Sequence, residues 1–134
     1  MSEEIEKSQP ALPAVLVFFV ALTAWAVPGA GHLLLRKWKR AAAFFLGVSA
    51  LAILGLTLRG FVFSSKPVDA FELLGFLSNL GAGGYYYFAK FVANASTDVS
   101  RAAGDYGTRY FAAAGVLNLL CVLDAVNIAS GRKE

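Results

Sequence analysis

Charged side chains fall in a few short stretches of this chain, and long apolar runs separate them. Residues 11–35 carry no charge, and His32 is the only titratable group there. Residues 41–58 also carry none. After Lys66, Asp69 and Glu72, the run from Leu73 to Ala89 is uncharged, and residues 110–131 hold a single charge, Asp124. A helix that crosses a bilayer core needs about 20 mostly apolar residues. Backbone groups in lipid must be satisfied within the segment, which favours helix over loop or open strand. The pattern therefore predicts four spans, at about 11–31, 39–62, 70–92 and 108–129. A soluble helix would show a polar face at 3.6-residue period. Ala42–Leu58 offers only Ser49 and Thr57 as polar side chains, and Ala11–Val27 only Thr23. The predicted fold class is all-α: an integral membrane protein of four transmembrane helices in two helical hairpins, occupying residues 11–131.

Local signals set the boundaries. Residues 1–10 form a polar tail in which Glu3, Glu4 and Glu6 face a single Lys7. A secretory leader starts with a positive region, so the first apolar segment reads as a retained span. Pro28-Gly29-Ala30-Gly31 bends or ends the first helix, because proline removes a donor and glycine relaxes the backbone. Asp69-Ala70-Phe71-Glu72 fits a capping box and opens the third helix. Residues 94–108 read as a polar linker. Gly131-Arg132-Lys133 stops the fourth span, leaving 132–134 as a tail.

Composition narrows the class further. Hydrophobic residues make up 57% of the 134 and charged residues 16%, which excludes an intrinsically disordered chain. The single cysteine, Cys121, excludes a disulfide framework and a cysteine-cluster metal site. The net charge of +3 is not a nucleic-acid signal. Arg36, Lys37, Lys39 and Arg40 flank Trp38 in one short loop between two spans, where basic and tryptophan side chains anchor to anionic lipid headgroups. With four spans, Lys and Arg number seven on the side of that loop and five on the other. The expected orientation has both termini outside and the Arg36–Arg40 loop in the cytoplasm, in a multi-pass protein of a bacterial inner membrane.

Few residues offer chemistry. Asp124 is a carboxylate inside an uncharged run, roughly 9 Å from the helix end, and such a group needs a partner, a wet cavity or a function. Asn127 lies one turn on, nearly in the same direction, and Asn118 faces elsewhere. Arg59 is an allowed partner of Asp124 in this topology, and a structural pair is favoured over an ion or proton site. His32, at the other end of the membrane in this reading, is not coupled to Asp124. One histidine cannot make a protein-only metal or bis-histidine haem site. Gly81, Gly83 and Gly84 fall in the middle of the third span, followed by Tyr85, Tyr86 and Tyr87. Close helix packing, with hydroxyls bonded to neighbouring helices, is the expected role. Ala43, Gly47, Ala112 and Gly115 read as further packing contacts. No catalytic constellation, phosphate-binding loop or cofactor site is present in the sequence.

Two stretches resemble a known pattern. Pro28-Gly29-Ala30-Gly31-His32, with basic residues soon after, resembles the glycine-rich turn of the two-span hairpin transmembrane domain. Gly115–Asp124, an apolar run closing on an aspartate, is similar to that domain's last helix. Leu33-Leu34-Leu35 stands where the pattern has Arg-Phe-Tyr. The whole chain looks like a small bacterial membrane-protein family of unknown function with an extra helix pair between the two motifs. The resemblance implies a cytoplasmic hairpin loop and no activity. The resulting expectation is a non-enzymatic structural or accessory subunit, packing with a membrane-protein partner or as a homo-oligomer. The alternative is a small transporter or channel subunit with Asp124 and Asn127 in a polar path.

Overall fold

The computed structural model describes residues 10–63, 66–93 and 102–132. Most of the polar tail (1–9), residues 64–65, the first part of the expected 94–108 linker (94–101) and residues 133–134 lie outside these. The described residues form six helices and no strand: α1 (Ala14–Ala26), α2 (Ala30–Leu34), α3 (Trp38–Thr57), α4 (Ala70–Gly81), α5 (Gly84–Ala93) and α6 (Ala102–Ala129). Two stretches are long and apolar enough to cross a membrane, Trp38–Thr57 and Gly104–Ala129. The second and fourth expected spans are therefore continuous helices, whereas the first and third are each broken in two.

The breaks have local causes. Val27, immediately before Pro28, is extended at φ −131° and ψ 118°, the conformation that a following proline ring imposes. Gly29 then takes φ +81°, a left-handed turn that only glycine adopts freely. The chain returns through α2. A Cβ on Gly31 would stand 2.7 Å from the Ala24 Cβ and 2.9 Å from the Val20 carbonyl, so α2 lies flat against α1. Gly83, at φ +61°, makes the second break. The Phe76 and Tyr86 rings, five residues either side of Gly81, sit 6.0 Å apart. A straight helix would hold them about 15 Å apart along its axis, so α5 folds back beside α4.

Helices α3 and α6 run antiparallel as the central pair. Gly47 faces Leu117, and Gly55 faces Phe111 and Gly107. Val48, Ala52, Ala82, Ala89, Phe111 and Ala114 form the main core, and Val20, Ala24, Ala125 and Ala129 a second one. The hairpins flank α6 at opposite halves. The Leu12 N–H donates to the Ala129 carbonyl at 2.9 Å, and α1 ends where the Trp25 carbonyl meets Asn118. In the other half, the Ser78 hydroxyl donates to the Ala112 carbonyl at 2.7 Å. Gly81 packs against Gly115 and Leu119. The capping box read from the sequence is in place at the start of α4: the Glu72 N–H donates to Asp69 at 2.7 Å. The Glu72 carboxylate reaches back to the Val68 N–H at 2.8 Å.

This arrangement corrects the expected topology. The start of α1, the Arg36–Arg40 turn and the end of α6 lie at one end of the molecule. The expectation had put the turn opposite both termini. The difference follows from Pro28 and Gly29, which reverse the first segment rather than bend it.

Candidate functional site

The polar residues of the first hairpin converge on α6. Close packing of Gly31 against Ala24 and Ala125 brings the next residue, His32, onto the face of α6 that carries Cys121 and Asp124. Those two are three positions apart and so neighbours on one helix face. His32 is fully buried. Its Nε2 lies 2.9 Å from Asp124 Oδ2, and Arg40 Nη1 reaches the same oxygen at 3.4 Å. The Phe44 ring stacks on the imidazole with centroids 5.0 Å apart. Cys121 Sγ stands 3.6 Å from Nδ1. A carboxylate only accepts, so the network places a proton on Nε2 and leaves Nδ1 of a neutral imidazole to accept from the thiol.

Thiol, imidazole and carboxylate are thus in series, an order that nucleophilic enzymes also use. Here Cys121 and His32 are both 0% exposed, so the sulfur has no open face toward a substrate. The cluster acts as a clasp: it ties α2 and the start of α3 to the end of α6. Removing one member of such a buried group strands the others.

The sequence pattern singles out both His32 and Asp124 but keeps them apart, and it allows Arg59 as one partner of the acid. The structure joins the two and supplies Arg40. Arg59 follows the far end of α3, roughly 28 Å along the helix from Arg40, out of reach of Asp124. The signal for Arg40 and Cys121 lay in the first hairpin's reversal, not in any motif. Asn127, one turn beyond Asp124, is half-buried. Its carbonyl accepts from the Arg132 N–H at 2.9 Å, which closes α6.

A second polar cluster joins the two hairpin tips. Helices α1 and α4 both end inside the molecule, where their last carbonyls lack helical partners. Asn118, fully buried on α6, donates through Nδ2 to the Trp25 carbonyl at 3.0 Å and the Gly81 carbonyl at 2.8 Å. Trp25 Nε1 donates to the Leu80 carbonyl at 3.0 Å. One asparagine therefore caps two helices from two hairpins. Gly83 and Gly84 make the approach possible, because a Cβ on either would run into the Trp25 or Ala26 carbonyl. Among the described residues, the amide atoms of buried Asn79 and the Oδ1 of Asn118 have no hydrogen-bond partner.

The glycines read as packing positions do pack, at a helix break rather than within a continuous span. Ser49 and Tyr85 share a hydrogen bond between α3 and α5, as the tyrosine reading expected. Tyr86 donates to the Phe63 carbonyl at 3.4 Å. Gly115 is the tightest glycine site on α6, where an added Cβ would run into the Ser78 carbonyl. Ala43, by contrast, is exposed.

A family model matches residues 19–134. The chain belongs to that family, DUF6677, described as a family of unknown function. No curated protein and no solved structure matches the chain. The matched region contains the clasp, both helix breaks and Asn118. In this DUF6677 chain the two stretches that carried the hairpin-domain resemblance, Pro28–His32 and Gly115–Asp124, are in direct contact.

Proposed function

We propose that this DUF6677 chain is a non-enzymatic integral membrane protein, a small structural or accessory subunit that packs with a membrane-protein partner or itself. In this reading α3 and α6 cross the bilayer, and α1–α2 and α4–α5 enter it from opposite faces as half-depth hairpins. The observation that carries it is how the two helix breaks are handled. Irregular backbone at membrane depth is tolerated where protein covers it. Pro28, Gly29, Ala82 and Gly83 are buried, and Asn118 and Trp25 cap the carbonyls beside them. The outer surface supports the same reading. Phe18 is 63% exposed, Leu46 66% and Leu123 59%, a surface suited to lipid and poorly suited to water.

The clasp bears on the role. The Asp124 carboxylate is engaged by His32 and Arg40, which favours a structural acid over one lining a polar path. The same clasp bears on orientation. The Arg36–Arg40 turn shares its end with the start of α1 and the end of α6, and basic residues in short loops stay in the cytoplasm. Both termini are then cytoplasmic, the reverse of the orientation expected from four full spans. Fusions at the C-terminus of the full chain in a bacterial host test this. A green fluorescent reporter is expected to light up in the membrane fraction, and an alkaline phosphatase fusion to stay inactive. An active phosphatase would overturn the proposed orientation.

A further inference from the structure

The turn between α2 and α3 makes two adjoining hollows. Arg36 adopts φ +60°, and this left-handed residue folds the turn so that Arg36, Lys37, Trp38, Lys39 and Arg40 together line a hollow of ≈ 410 Å³. Beside it lies a second hollow of ≈ 320 Å³, lined by Trp38 with apolar groups including Val27, Leu33, Ala41, Ala42 and Phe45. Trp38 belongs to both and is 70% exposed. Arg40 is partly committed to Asp124, and Arg36 and Lys39 are exposed. A basic cradle and an apolar slot therefore meet at one tryptophan, at the start of α3, where the proposed topology puts a membrane–water boundary.

We infer that these hollows form a binding site for one anionic phospholipid, with its phosphate in the basic cradle and an acyl chain in the apolar slot. The inference rests on the proposed membrane residence. Charge complementarity selects the ligand: basic side chains near an anionic lipid surface are attracted to it, and a zwitterionic lipid offers no net charge to match them. The slot distinguishes a whole lipid from a free phosphate. Trp38 sits where tryptophan favours the interface, its ring apolar and its N–H polar.

The test uses the full chain in a mild non-ionic detergent, with phosphatidylglycerol or phosphatidylcholine brominated on the acyl chain. Bromine quenches tryptophan at close range. Brominated phosphatidylglycerol is expected to quench saturably, at a concentration at least tenfold below that of brominated phosphatidylcholine. Trp38→Phe should lose the saturable component while Trp25 still fluoresces. Arg36→Asn with Lys37→Gln and Lys39→Gln should weaken it tenfold or more with unchanged helical circular dichroism. Asparagine is chosen at position 36 because it tolerates the left-handed backbone, and Arg40 is kept to leave the clasp intact. Equal quenching by the two lipids, or an unchanged response in the triple variant, would overturn the site. Full displacement by inorganic phosphate would assign the cradle to free phosphate and overturn the lipid. Membrane residence is read separately: a chain that fractionates with the aqueous phase without detergent fails the underlying reading, not the lipid site alone.

Discussion

The two hairpins solve one problem with different chemistry. Each sends a helix of 12 or 13 residues toward the middle of the molecule, breaks it at a left-handed glycine and turns back. The first returns through only five residues and is held by ionisable groups, His32, Asp124 and Arg40. The second returns through ten and is held by neutral ones: Ser49 with Tyr85, Ser78 with the Ala112 carbonyl, and the Gly115 groove. A short return leaves little apolar area to bury, so a stronger polar contact replaces it. That contact lies near the end of α6, and in the proposed membrane placement a charge there costs less than at the centre. At the shared tip, deepest in the molecule, only an amide and an indole are used.

Substitutions can break this contrast in order of expected size. Gly115→Ala places a methyl group against the Ser78 carbonyl and should push α4 off α6. A loss of roughly 3 kcal/mol or more is expected, read as lost monodisperse protein or a large fall in thermal midpoint. His32→Ala empties a fully buried position and strands Asp124 beside Arg40. The expected loss is about 3 kcal/mol, with Asp124→Asn costing about 1 kcal/mol because an amide oxygen still accepts from Nε2. Equal losses from His32→Ala and Asp124→Asn would mean that charge, not the hydrogen bond, carries the clasp.

Asn118→Ala uncaps both tips at once and should cost about 2 kcal/mol, with greater hydrogen exchange at both breaks. Asn79→Leu provides the contrast. Its amide has no partner among the described residues, so the apolar replacement should be neutral or stabilising by about 1 kcal/mol. A clear destabilisation there, measured by the same thermal unfolding, would mean that Asn79 makes a contact of its own.

What the sequence disclosed depended on how local each feature is. The Asp69–Glu72 box was legible because its partners are three residues apart. The two continuous helices were legible because hydropathy over 20 residues reports exclusion from water. Hydropathy says nothing of direction, and the apolar run continues unbroken through Pro28–Gly29 and through Ala82–Gly83. The sequence pattern therefore reads as a bend or end of the helix at one site and as packing at the other. That single omission moved His32 to the wrong end, offered Asp124 the wrong arginine and put the basic turn at the end opposite Leu12 and Ala129. Asn118 gave no signal as a cap, because the carbonyls it serves come from residues 93 and 37 positions away.

The central claim is that the first apolar segment turns back instead of crossing, so that its start shares a face with the basic turn. Single cysteines at Pro10, Lys39, Arg132 and Val68, in a Cys121→Ala background, address it with a membrane-impermeant maleimide on sealed vesicles of known orientation. The account predicts that positions 10, 39 and 132 label together from one face and position 68 from the other. Labelling of positions 10 and 39 from opposite faces would contradict it.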